Sequence, residues 1–143
     1  MQYLLVEYVD GSDLFRHMSD RRKANALLSE ATALDCFVQV LLAVEYLHRH
    51  NIIHRDIKAA NILLSRKWLI RLADLGTAQM FDTDVNRGVD NVPMGSPMMM
   101  APELFMGDPT TGVRKVYDEK CDIWSLGVLL WELTFFTYPF DGR

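Results

Sequence analysis

The octapeptide His54-Arg55-Asp56-Ile57-Lys58-Ala59-Ala60-Asn61 sets a carboxylate, an ammonium and an amide within six residues. It lies between an apolar helical stretch and the short apolar run Ile62-Leu63-Leu64. These are the parts that a phosphoryl-transfer site needs: an acid group to receive a hydroxyl proton, a cation for phosphate oxygens, and an oxygen ligand for magnesium. Thirteen residues after Asn61 comes Asp74-Leu75-Gly76, preceded by the alternating run Trp68-Leu69-Ile70-Arg71-Leu72-Ala73. That run predicts a strand delivering a carboxylate to a glycine turn. The interval suits a tight two-strand hairpin, which brings both oxygen ligands to one metal.

Outward from this centre, Tyr3–Val9 is an apolar, aromatic-containing run predicted as a strand, ending in the turn Asp10-Gly11-Ser12. Ser12 is the expected cap of a short helix through Met18, and residues 19–28 the expected surface connection. Thr32-Ala33-Leu34-Asp35 reads as a capping box. It opens a helix with Phe37, Val40, Leu41, Val44 and Leu47 on its apolar face, ended by Asn51. Residues 76–100 show little periodicity, as do residues 107–116. The helix from Asp122 is apolar all round and is expected to be buried.

At 143 residues, half of them apolar, with a net charge of −4, the composition is that of one globular domain. The mild acidity gives no reason to expect nucleic-acid or membrane partners. The apolar run from Ile123 to Phe136 is too short for a span and contains Glu132. Met1–Val9 carries Glu7 and lacks a basic start, unlike a signal peptide. The two cysteines, Cys36 and Cys121, lie far apart in apolar helical sequence and read as buried reduced thiols.

Further motifs follow in order: Gly95-Ser96-Pro97, Ala101-Pro102-Glu103 and Asp122-Ile123-Trp124-Ser125-Leu126-Gly127. Together with the octapeptide and Asp74-Leu75-Gly76, they resemble the C-terminal lobe of the eukaryotic protein kinase superfamily, from Tyr3 to Arg143. Lys58, two places after Asp56, resembles the Ser/Thr-specific branch. Asp13-Leu14, Phe37-Val38-Gln39 and the Asp-Leu-Gly variant are most similar to the NIMA-related kinases.

The resemblance implies a mainly α fold with a small β-hairpin, an α+β partial kinase lobe. It would run over residues 1–143 through the hinge, helices that kinases letter D and E, the catalytic loop, the activation segment and helix F. It implies ATP and Mg2+ as cofactors and protein substrates phosphorylated on Ser or Thr. By the same resemblance Asp56 is the catalytic base, Lys58 holds the γ-phosphate, and the Ser96 hydroxyl links the two. Asn61 and Asp74 are the magnesium ligands. Glu7 and Val9 match the adenine-reading backbone, Val6 the back of the pocket, and Leu63 the adenine floor or simply core. Asp13 either reaches a ribose hydroxyl or caps its helix. Met98–Met100 line a substrate pocket or fill core, while His54 and Asp122 are structural, Asp122 binding backbone N–H groups of the catalytic loop. Glu103 resembles an acid that normally pairs with an arginine far downstream.

No glycine-rich GxGxxG loop and no VAIK-type lysine precede Tyr3, so the resemblance is to a C-terminal-lobe slice with the N-terminal lobe absent. These residues by themselves are expected to transfer phosphate poorly. The alternative reading is a catalytically incompetent fragment or pseudokinase acting as a protein-binding module, whose usual mark, loss of the Asp or Asn ligands, is not seen here. A cytoplasmic location is implied, with nuclear or cytoskeletal association open; nothing in the residues sets an oligomeric state. Arg55 resembles the arginine that receives an activation-loop phosphate. With no Ser, Thr or Tyr between Asp84 and Gly95, Asp90 is expected to stand in for that phosphate, with Thr83 a distant phosphosite.

Overall fold

The computed structural model describes residues 3–80, 95–105 and 118–140. Helix α1 spans Leu14–Lys23 and helix α2 Glu30–Arg49; the short α3 covers Pro102–Phe105 and α4 Lys120–Phe135. Strands β1 (Ser12–Asp13), β3 (Ile62–Leu64) and β4 (Ile70–Leu72) form an antiparallel sheet in the order β1-β3-β4. Strands β2 (Ile52–Ile53) and β5 (Gln79–Met80) form a second antiparallel pair. The mainly helical architecture with a small hairpin is as expected.

One core joins these elements. Leu14 and Met18 of α1, Ala33, Cys36, Val40 and Val44 of α2, and Leu126, Leu129 and Leu133 of α4 meet Ile57, Ile62 and Leu64. Fully burying each of the leucine, isoleucine, valine and methionine side chains stabilises the fold by about 1.5–3 kcal/mol. Both cysteines are buried free thiols, Cys36 pushed up to about 11 and Cys121 to about 12, mainly by burial. Helix α2 is long and apolar enough to cross a membrane by length and composition, but its stripe Ala33–Cys36–Val40–Val44 belongs to this core.

Several local expectations are corrected. Tyr3–Val9 is not a strand: no ladder is assigned to it, and Tyr3, Leu4, Leu5, Val6 and Tyr8 are exposed. A strand exists only where its backbone finds a ladder partner. The cap of α1 is Asp13, whose Oδ1 accepts from Arg16 N at 2.7 Å, while Ser12 is drawn into β1. The helix runs on to Lys23 because Arg21, Arg22 and Lys23 suit the negative end of its dipole. Arg21 also closes the following turn on Ala26 O (2.7 Å) and Leu27 O (2.9 Å). Ser29, not Thr32, caps α2: its Oγ accepts from Thr32 N at 3.2 Å and meets Thr32 Oγ1 at 2.8 Å. Leu41 is exposed, because the buried stripe follows Ala33, Cys36, Val40 and Val44 around α2. Helix α4 is buried on one side only; Ile123, Trp131 and Phe135 are exposed where no described element covers them.

The hairpin holds its register through three pairs, Ile62 with Leu72, Leu63 with Arg71 and Leu64 with Ile70. Trp68 lies in its turn at φ 61° and not in the strand. Gln39 of α2 fastens this turn, its Nε2 donating to Trp68 O (3.1 Å) and its Oε1 accepting from Ile70 N (3.0 Å). At the other edge Gly11 passes so close to β3 that an added Cβ would sit 1.8 Å from Leu64 O.

Candidate active site

Asp122, at the start of α4 and fully buried, organises the loop between β2 and β3. Its Oδ2 accepts from His54 N at 2.9 Å and its Oδ1 from Arg55 N at 2.8 Å, and His48 Nε2 lies 2.8 Å from Oδ2. Those bonds hold Arg55 in a left-handed conformation, φ 67°, which an arginine adopts only under constraint. The buried His54 ring adds a second brace, with Nε2 3.1 Å from Ala73 O and Nδ1 accepting from Asp56 N at 3.3 Å. Both residues have the structural place expected of them. His48 was not singled out from sequence; nothing but its position in the last turn of α2 marks it.

The sharp turn at Arg55 presents Asp56. Its Oδ2 accepts from Lys58 Nζ at 2.7 Å and Asn61 Nδ2 at 2.9 Å; its Oδ1 accepts from Ser96 Oγ at 2.9 Å. Lys58 Nζ also donates to Ser96 Oγ at 2.9 Å, closing a triangle of Asp56, Lys58 and Ser96. Burial pushes the Asp56 carboxyl up, but hydrogen bonds from Lys58, Ser96 and Asn61, with the lysine charge, outweigh it and hold the group below its ordinary value. Its contribution to stability is therefore full above the ordinary carboxyl pKa and lost as the pH falls through the depressed one. In Lys58→Met the Asp56 carboxyl, followed by 13C NMR titration, is expected to titrate at higher pH than in the wild type. An unchanged value would show that the lysine does not hold the carboxylate.

Gly95 makes the triangle possible. It sits at φ 115°, and a Cβ there would lie 2.4 Å from Arg55 O. Gly95→Ala is expected to cost about 1–3 kcal/mol of stability and to pull Ser96 away from Asp56. Urea denaturation together with the Asp56 titration checks both; a variant that matches wild type in each would contradict the close approach.

The hairpin holds Ala73, the residue before Asp74, against Asn61, Ala73 N donating to Asn61 O at 2.8 Å. The Asn61 amide nitrogen donates to Asp56 O and Oδ2, both at 2.9 Å, so its carbonyl oxygen is the end left for a cation. Asp74 adopts φ 62°, ψ 76° and accepts from Gly76 N through Oδ1 at 3.2 Å. Among the described residues no group of three or more His, Cys, Asp or Glu could hold a metal. One amide and one carboxylate fit magnesium, which keeps waters and takes substrate phosphates for its remaining positions.

The segment after Asp74 folds back onto the loop. Thr77 Oγ1 donates to His54 O at 3.1 Å, and Arg55 donates to Thr77 O and, at 2.9 Å, to Gln79 Oε1. Leu75 is exposed. Asp90 and Thr83 lie outside the described residues. Val9, Asp13 and Leu63, all predicted around a nucleotide, line one cleft of about 270 Å³ with Gly11, Ser12 and Arg16. Asp13 has its capping bond there, the plainer of its two readings. Glu7 is not in that cleft's lining; its carboxylate binds Arg71, a residue that sequence reasoning passed over. Met99 and Met100 are buried and fill core, and Met98 is exposed. Ser125 Oγ donates to Met99 O at 2.7 Å, tying this stretch to α4.

Residues 1–143 match the protein kinase domain family. The chain belongs to that family. It is similar to the serine/threonine-protein kinase Nek5 of Homo sapiens, 36% identical over 99% of this chain and 18% of the relative. It is similar also to Nek1 of Mus musculus (34%; 98% and 11%) and SIK2 of Gallus gallus (38%; 99% and 16%). The chain thus spans less than a third of the length of these kinases. The Nek relatives agree with the NIMA-related resemblance of the kinase motifs.

Proposed function

We propose that the site serves a serine/threonine protein kinase that transfers the γ-phosphate of ATP to a protein hydroxyl. The observation that carries this reading is the triangle of Asp56, Lys58 and Ser96, closed between residues 40 positions apart. A carboxylate held ionised by three donors accepts the hydrogen bond of an incoming hydroxyl and aims its oxygen. Its depressed basicity suits it to receive the proton late, when the oxygen is already committed to phosphorus. Lys58 lies 2.7 Å from that carboxylate, so its ammonium is placed to counter charge on the transferred group.

MgATP would supply the phosphoryl group and the cation that neutralises it. Asn61 and Asp74 would hold the magnesium; Val9, Asp13 and Leu63 would receive the nucleoside, with the second Asp13 oxygen left for a ribose hydroxyl. Incubation with labelled ATP and peptides bearing Ser, Thr or Tyr as the only acceptor tests the reading. Label is expected on Ser and Thr peptides. Transfer to Tyr alone, or MgATP binding with no transfer from any form of the protein, would count against it.

A further inference from the structure

Arg71 faces a carboxylate that lies far from it in sequence. Its Nε donates to Glu7 Oε2 at 3.0 Å and its Nη2 to Glu7 Oε1 at 3.1 Å, a two-pronged pair between residues 64 positions apart. The guanidinium is not swinging free to make it, because Nη1 donates to Ile70 O at 3.0 Å. A fork already fixed to its own strand loses less side-chain entropy on binding a carboxylate. The charges answer each other: Arg71 holds the Glu7 carboxyl below its ordinary value, and Glu7 raises Arg71.

The position of the pair gives it a role. Arg71 stands opposite Leu63 in the β3–β4 register, and Leu63 stands opposite Asp13 in the β1–β3 register. Leu63 and Asp13 line the 270 Å³ cleft together with Val9. Glu7 precedes Val9 by two residues, at most about 7 Å of chain. Residues 3–9 belong to no assigned strand, and the Glu7–Arg71 pair ties this segment to the hairpin.

We propose that Arg71 is a positioning residue for the nucleotide, clamping Glu7 to the hairpin and so fixing the Val9 wall of the cleft against Leu63. The clamp rests on the nucleotide reading of that cleft. It also joins the adenine end of the site to the strand that leads to Asp74, three residues beyond Arg71. The pair is half-exposed, which limits its strength and makes it sensitive to salt.

The test uses the unaltered protein, Arg71→Gln, and the charge swap Glu7→Arg with Arg71→Glu. Without ligand, 15N heteronuclear NOEs at Leu5–Val9 are expected to fall in Arg71→Gln and to recover in the swap. The MgATP Kd is expected to rise about two- to fivefold in Arg71→Gln, to recover in the swap, and to lose its dependence on the substitution in about 1 M salt. Turnover at saturating MgATP is expected to stay unchanged, since no reacting group is touched. Wild-type binding with equal affinity and equal NOEs in Arg71→Gln would overturn the clamp alone. No MgATP binding by the unaltered protein would overturn the nucleotide reading instead, and the NOEs would still decide whether Arg71 holds the segment.

Discussion

Asp56→Asn is expected to lower phosphoryl transfer by about 10²–10⁴-fold while leaving the MgATP Kd within about twofold. The substitution is close to isosteric, and the surrounding bonds can adapt. The amide oxygen can keep the bonds from Lys58 and Asn61, and the amide nitrogen can donate to Ser96, whose hydroxyl turns from donor to acceptor. What disappears is the negative charge that orients the incoming hydroxyl and takes its proton. The cleft of Val9, Asp13 and Leu63 does not include Asp56, so nucleotide affinity has no reason to fall with turnover. The measurements are phosphate transfer to a Ser/Thr peptide and calorimetric binding of MgATP, both on the longest expressible form of the protein. Turnover within tenfold of wild type would remove Asp56 from the chemistry. A parallel loss of nucleotide affinity would point to a collapsed loop.

The second large effect is expected at Asp122, where no chemistry takes place. Asp122→Ala should lower stability by about 3–5 kcal/mol, because it strips partners from buried groups. His54 N and Arg55 N lose their acceptor, and His48 loses the carboxylate at 2.8 Å. The left-handed Arg55 then has less to hold it, so the Asp56 carboxyl should also drift back toward its ordinary pKa. Asp122→Asn should fall between: one oxygen still accepts, but an amide nitrogen now faces a backbone N–H. Urea denaturation gives the stabilities and 13C titration the Asp56 value. A loss under about 1 kcal/mol in Asp122→Ala would mean that the loop is held by other bonds.

Particular elements show how far the sequence could be read. The octapeptide, Asp74-Leu75-Gly76 and Asp122-Ile123-Trp124 are local strings whose residue types and spacing carry chemistry, and they named Asp56, Lys58, Asn61 and Asp74 directly. The hairpin was equally legible, since alternation and a short connection are local facts. The caps were misassigned by one to three residues because Ser12, Asp13, Ser29 and Thr32 are all competent caps, and the choice depends on which backbone N–H each oxygen reaches. Tyr3–Val9 carries strand composition, yet composition alone does not build a ladder.

By itself, then, the sequence determined the chemical kit of the site and the order of its parts, because hydrogen-bonding capacity, charge and turn preference belong to individual residues and short spacings. Tertiary structure decided the geometry in which distant groups meet, both where the kinase resemblance had implied the meeting, at Ser96 and Asp122, and where nothing in the sequence marked it, at His48 and Arg71. It brought Ser96 to Asp56 and Lys58 through a glycine that must pass against Arg55 O, Asp122 to His48 and to the backbone N–H groups of His54 and Arg55, and Glu7 to Arg71 of the hairpin. Each of these contacts joins residues from 38 to 74 positions apart. Such meetings depend on how the helices and the sheet pack around one core, which no single segment encodes.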